Sequence, residues 1–292
     1  MNGTGMSTVE LSAGTVEYRD TGTGTVLVFL HGLLMDAALW DDVSSELSPG
    51  FRCLAPTLPL GAHRIPMGPD ADLSLPAIAG LVTEFIDRLD LHDVTLVGND
   101  TGGALVQLIV ASQSQDAGSA DRIQRVVLVS CDAFDNFPPG LTGKTLFLAG
   151  RLSPALFGQF MQQMRVRPVR RLPIAFGWLT KRGDQATARW MRPILTQAAI
   201  RRDAVKALRA AARDTGLLTA AARVFPDFAG PVLVVWASQD RVMPPDHGRR
   251  LAEAFPAGRL VQVDDSYTLI PLDQPARLAQ AIRDFSLSPA AG

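Results

Sequence analysis

The sequence predicts an α/β fold, a mostly parallel sheet covered on both faces by helices and interrupted once by a helical insertion. Three observations carry this. Short β-branched runs alternate with longer amphipathic stretches through the first third of the 292 residues. That alternation stops at Phe137-Pro138-Pro139-Gly140 and resumes at Val232. The chain is 47% apolar and 20% charged, enough apolar material for the buried core that such a sheet needs.

In chain order, Val9–Leu11 and Thr15–Asp20 have no helix between them and predict an antiparallel hairpin at the sheet edge. The runs at Thr25–Leu30 (TVLVFL) and Phe51–Ala55 predict the next two strands, joined by a helix over Ala37–Leu47. Leu75–Leu89 places Ile78, Leu81, Val82, Phe85, Ile86 and Leu89 at helical spacing. Val94–Gly98 and Val126–Ser130 are strands five and six, with an apolar helix over Ala104–Val110 between them. Val232–Ala237, a helix over Asp246–Phe255, a strand over Arg259–Val263 and a helix over Pro275–Phe285 complete an eight-stranded core.

Residues 136–225 contain no strand pattern, only helical pieces cut by Pro154, Pro168, Pro173 and Pro193. They carry 16 Lys and Arg against three Asp, a net charge of +13, while the rest of the chain carries −14. The near-neutral total of −1 therefore hides a bipolar molecule. The expected organisation is a core of residues 1–135 and 226–292, with residues 136–225 inserted after the sixth strand.

The overall charge balance gives no support for nucleic acid as the main partner. No apolar run approaches the roughly 20 residues that a membrane helix requires. The N-terminal residues show no basic segment followed by an apolar one, and two cysteines, Cys53 and Cys131, make no disulfide framework. A cytoplasmic setting is the expectation. Neither a glycine-rich phosphate loop nor a metal-ligand spacing occurs, so no cofactor and no metal are expected.

The sharpest motif is Gly98-Asn99-Asp100-Thr101-Gly102-Gly103, which follows a strand directly and opens a helix. A turn this tight strains its central residue and needs small neighbours. It has the form of a nucleophile elbow, with Asp rather than Ser at its apex. Phe29-Leu30-His31-Gly32 precedes it, Ser238-Gln239-Asp240 ends a later strand, and Asp264-Asp265-Ser266-Tyr267 follows the last one. In this order and spacing the chain resembles the α/β-hydrolase superfamily over nearly its whole length. The Asp at the elbow resembles the branch of haloalkane dehalogenases and epoxide hydrolases. That resemblance implies the α/β-hydrolase fold, a helical cap, and an Asp100 carboxylate that attacks a carbon electrophile to form an enzyme-bound ester. It also implies an oxyanion site at His31, Gly32, Leu33 and the Thr101 amide, and Asp240 or Asp132 as the acid orienting a His.

The chain departs from that pattern. Tyr267 stands where the His is expected, and no His follows His247. Thr101 replaces the Trp that dehalogenases place after the nucleophile, and Leu33 replaces their Asn. Residues 136–225 contain no Tyr, although epoxide hydrolases use cap tyrosines. His63, in the loop after the fourth strand, is a candidate substitute base, and Arg64 beside it a candidate anion clamp. The other reading of both is a surface loop. Tyr267 either hydrogen-bonds Asp240 or Asp132, or merely fills the space of the imidazole. The basic insertion is either a lid that draws in an anionic substrate or a solvated face. Its aromatic residues, Trp178 among them, read as cap core and pocket lining.

The leading expectation is a cofactor-independent hydrolase acting on a small molecule. Two alternatives stay open: lyase, isomerase or cyclase chemistry with Asp100 and Tyr267 as a proton-transfer pair, and a catalytically inactive small-molecule binder. The oligomeric state is not expressed in these motifs.

Overall fold

The computed structural model describes residues 6–113 and 122–287. Eight strands form one sheet: β1 (Met6–Leu11), β2 (Gly14–Thr21), β3 (Thr25–Leu30), β4 (Phe51–Pro56), β5 (Val94–Asp100), β6 (Ile123–Cys131), β7 (Val232–Ala237) and β8 (Gly258–Val263). Their spatial order is β1-β2-β4-β3-β5-β6-β7-β8. β2 runs antiparallel to both β1 and β4, and every other neighbouring pair is parallel. The hairpin expected at the edge is β1–β2.

The central strands are buried on both faces, which is why they read as unbroken apolar runs. All of β5 and all of β7 are buried. Helices cover the sheet: α1 (Asp41–Leu47), α2 (Leu75–Arg88), α3 (Thr101–Gln113), α11 (Pro245–Ala254) and α13 (Pro275–Leu287). In α2 the predicted face of Ile78, Leu81, Val82, Phe85 and Ile86 is buried, and the Ser74 hydroxyl caps the helix by accepting from Ala77 N. The helix expected over 37–47 is divided. Ala37–Trp40 is a 3-10 turn, fixed by the Asp36 carboxylate on Ala38 N and by the fully buried Trp40, and α1 follows it.

β5 passes into α3 with no spacer, so this helix begins three residues earlier than its apolar run. Asp100, the last strand residue, has φ 57°. The chain can reverse this sharply because Gly102 lies against the Leu30 carbonyl, where a Cβ would overlap it.

Between β6 and β7 every described element is helical: α4 (Gly140–Gly150), α5 (Pro154–Met161), α6 (Arg167–Arg170), α7 (Asp184–Trp190), α8 (Arg192–Thr196), α9 (Ala198–Ala211) and α10 (Leu217–Ala221). Of these, α10 packs on α3 and so joins the layer that covers the sheet. Three buried carboxylates fasten the remainder to the core. Asp36 accepts the Trp190 indole N–H at 2.9 Å. Asp273, in the short helix α12 (Ile270–Asp273), accepts the Thr180 hydroxyl at 2.7 Å and the Lys181 and Arg182 amides. Asp203, on α9, accepts from His63 Nε2 at 3.2 Å and from Met67 N at 2.9 Å. Among the described residues no helix is long and apolar enough to cross a membrane.

Candidate active site

The elbow holds the Asp100 side chain at the carboxyl ends of the parallel strands, where open α/β sheets bind ligands. Its Oδ1 accepts from Thr101 N at 2.7 Å and from Thr101 Oγ1 at 3.0 Å. The Leu33 amide is a third donor to this carboxylate. Gly32 is required here, because a Cβ would overlap Asp100 Oδ1. Burial raises the Asp100 pKa, and the Thr101 and Leu33 donors oppose that rise.

His31 supports the loop that presents Leu33. Its Nε2 accepts from Leu58 N at 2.9 Å, so Nδ1 carries the proton and donates to Gly32 O at 2.9 Å. Burial lowers its pKa to about 4, and the ring is a neutral prop.

Asp132, just past β6, is fully buried. Its Oδ2 lies 3.2 Å from Thr101 Oγ1, so a single hydroxyl bridges Asp132 and Asp100. Its Oδ1 has no hydrogen-bond partner among the described residues. Burial first, and then the Asp100 charge, push the Asp132 pKa well above the usual carboxylate range. Asp240, after β7, uses Oδ1 to accept Val242 N, Met243 N and Thr268 Oγ1 at 2.8 to 2.9 Å. Burial raises it to about 6 against these bonds.

The residue that meets Asp240 is therefore Thr268, not Tyr267. Thr268 is fully buried, and its carbonyl accepts from Asn99 Nδ2 at 2.8 Å, which ties the last loop to the elbow. The Tyr267 ring turns away, between Lys181 Nζ at 5.0 Å and the Arg241 guanidinium at 4.8 Å. The side chain that reaches Asp240 from this loop thus belongs to the residue after Tyr267. The turn after β8, with Asp265 at φ 57°, sets the register in which Ser266 and Thr268 point inward.

A cavity of about 960 Å³, counted with its open mouth, lies between the strand ends and the insertion. Asp100 and Thr101 line it together with Leu33, Leu34, Phe147, Phe160, Met161 and Phe176. Among the described residues that line it there is no Lys, Arg or His.

Other expected site residues lie elsewhere. His63 is buried against Asp203, with Nδ1 accepting from Gly61 N, so Nε2 donates to the carboxylate and does not face the cavity. Arg64 donates to Asp36 Oδ2 at 2.8 Å and faces Glu17 Oε2 at 3.6 Å. Trp178 is half-buried outside the cavity lining. Two adjacent arginines of the basic insertion serve its own backbone. Arg170 donates to the Met164 and Arg165 carbonyls, and Arg171 to those of Thr180 and Lys181. Asp36, Asp203, Asp273 and Thr268 carried no sequence signal, since each looks like an ordinary loop or helix residue until its partner is in place.

Comparisons with known proteins agree with this architecture. A family model for the alpha/beta hydrolase fold matches residues 25–275. Haloalkane dehalogenase 2 of Mycobacterium tuberculosis is 28% identical over 284 residues, covering 93% of this chain and 91% of that protein. The solved structure of haloalkane dehalogenase DbeA from Bradyrhizobium elkani superposes with a TM-score of 0.75 at 19% identity, covering 97% of each chain. A thermophilic esterase from Thermogutta terrifontis gives a TM-score of 0.69 at 22% identity, over 95% of this chain and 97% of its own. The likeness to these structures is one of fold, and the family model spans most of the sequence: this chain belongs to the α/β-hydrolase family.

Proposed function

We propose that this protein is a cofactor-independent hydrolase of small, neutral, apolar carbon electrophiles of the epoxide kind, with Asp100 as a nucleophile that alkyl halides also alkylate. The observation that carries this reading is a buried carboxylate, fixed by the Thr101 and Leu33 donors, opening into a cavity whose described lining residues include no Lys, Arg or His. A carboxylate needs no base to attack, and the relatives named haloalkane dehalogenase are consistent with an acid at this position. Attack on carbon forms an ester on Asp100 and releases the leaving group with the bonding electron pair. Hydrolysis of that ester places negative charge on its carbonyl oxygen, which the Leu33 and Thr101 amides are positioned to stabilise. Thr268 in the imidazole position supplies no base at neutral pH, so an ester formed from an alkyl halide should be long-lived.

The test is intact-protein mass spectrometry after exposure to hexyl bromide, followed by peptide mapping. The expected result is one hexyl group on the peptide holding Asp100, absent from Asp100→Asn. An unmodified wild-type protein that releases no bromide would overturn the reading and leave the binding-protein alternative. Equal labelling of Asp100→Asn would also overturn it.

A further inference from the structure

Thr101 Oγ1 lies 3.0 Å from Asp100 and 3.2 Å from Asp132, and it carries only one proton. When that proton is given to the Asp100 carboxylate, the hydroxyl oxygen can only accept from Asp132. Asp132 then holds its proton on Oδ2, leaving Oδ1 as a carbonyl-type oxygen. This agrees with an Oδ1 that is buried and has no donor among the described residues. An ionised carboxylate with an unpaired buried oxygen would be costly.

We propose that Asp132, acting through the Thr101 hydroxyl, holds the proton that chemistry at Asp100 consumes and returns, and so takes over the task of the absent imidazole. The proposal rests on the reading of Asp100 as nucleophile. Asp132 is thus a positioning residue for the proton, and Thr101, which lines the cavity, is the group that meets the substrate.

Proton accounting then separates two kinds of electrophile. With an epoxide, attack by Asp100 forms the ester C–O bond and breaks one ring C–O bond. The released alkoxide takes the Thr101 proton, which Asp132 replaces, so Asp132 ends as a carboxylate. Water then adds to the ester carbon and loses a proton to Thr101, while Thr101 passes its own to Asp132. The acyl C–O bond breaks, and the departing alkoxide takes the proton left on the Asp100 carboxyl. The diol leaves, and both aspartates return to their starting states. With an alkyl halide the first step takes up no proton. Asp132 stays protonated, nothing accepts the proton of water, and the ester persists.

The surroundings fit a protonated Asp132. The charge that bears on Asp132 is that of Asp100 at the end of β5, and the Cys131 thiol precedes it in the chain. From α3 come the uncharged Thr101 and Gln107, the latter donating to the Asp132 carbonyl at 2.7 Å. Burial and the Asp100 charge both favour the neutral form.

Infrared spectroscopy at pH 8 and turnover of hexene oxide test this. A protonated-carboxyl C=O band should be present in the wild type and absent in Asp132→Asn. Wild-type protein should release diol from hexene oxide without a lasting adduct, yet retain the hexyl ester from hexyl bromide. Asp132→Asn and Thr101→Val should lose about a hundredfold in kcat with little change in KM, as for loss of a general acid–base group, and should accumulate the hydroxyhexyl ester. Thr101→Ser should restore turnover. The proposal is overturned if the band survives in Asp132→Asn. Diol release unchanged in both variants, or a lasting hydroxyhexyl ester in the wild type, also overturns it. In each of those cases Asp100 is still alkylated and the nucleophile reading stands. If neither reagent alkylates Asp100 or turns over, the nucleophile reading itself fails and this one with it.

Discussion

At the scale of single residues the site turns on which side chain faces Asp240. The sequence made the motif after β8 legible but not its register. Tyr267 and Thr268 are adjacent, and the intervening turn decides which of them points inward. The elbow was legible because its glycines are demanded by contact. A Cβ at Gly98 or Gly102 would overlap backbone, and that leaves a pattern in the sequence. Thr268 leaves none, since threonine fits many buried positions. The register carries a direct prediction. Thr268→His places an imidazole against the Asp240 carboxylate, with the water-activating geometry that Tyr267→His would lack. Thr268→His should shorten the lifetime of the hexyl ester on Asp100 by about a hundredfold, the usual contribution of a positioned general base. Tyr267→His should leave it unchanged. Time-resolved intact-mass measurement after removal of hexyl bromide checks both, with circular dichroism to confirm folding. The opposite ranking would return the imidazole position to Tyr267.

At the scale of elements the insertion is held by carboxylates, and this reassigns the loop after β4. His63 and Arg64 invite a catalytic reading because their loop lies at the ligand-binding end of the sheet. What they do depends on α9 and on Asp36, which lie 140 and 28 residues away along the chain. No local pattern reports contacts of that range. Burial alone would raise the Asp203 pKa, but His63, Met67 N and Arg202 outweigh it and hold the carboxyl below its usual range. A depressed folded-state pKa means that this stabilisation is present at neutral pH and is lost as pH falls through the depressed value. Asp203→Ala should therefore cost about 3 kcal/mol or more at pH 7, as expected when a buried ion partner is removed, and less at pH 3, which lies below the ordinary carboxylate value. Urea unfolding at the two pH values measures the difference. Equal losses at both would show that the carboxylate charge is not what fastens α9. His63→Ala should lower stability in the same way and leave the hexyl ester lifetime untouched. A lengthened lifetime would mean that His63 reaches the ester after all.

At the scale of the whole molecule the charge is divided between the insertion and the core, and the described residues that line the cavity between them include no Lys, Arg or His. The division was legible from counting residues, but its destination was not. Arg170, Arg171, Arg201 and Arg209 donate to main-chain carbonyls of the insertion. Arg167 pairs with Asp184, and Lys181 and Arg182 pair with Asp265 across to the core. Short helices leave many carbonyls without an intrahelical partner, and arginine forks satisfy them. An Arg-rich, proline-cut segment is thus what a cap made of short helices requires for its own backbone. Hexanol and hexanoate, which share a chain and differ in charge, separate steering from packing. Hexanol should bind the cavity with a Kd that does not change between 50 mM and 500 mM salt. Hexanoate should bind more weakly, because its carboxylate meets that of Asp100 in a cavity whose described lining residues include no Lys, Arg or His. Tighter binding of hexanoate that weakens steeply with salt would instead mean that the insertion's field reaches the ligand, as screening of a steering charge demands. Isothermal titration of the two ligands against the Asp100→Asn protein completes the test. Removing the Asp100 charge should narrow the gap between them, and it should do so at every salt concentration.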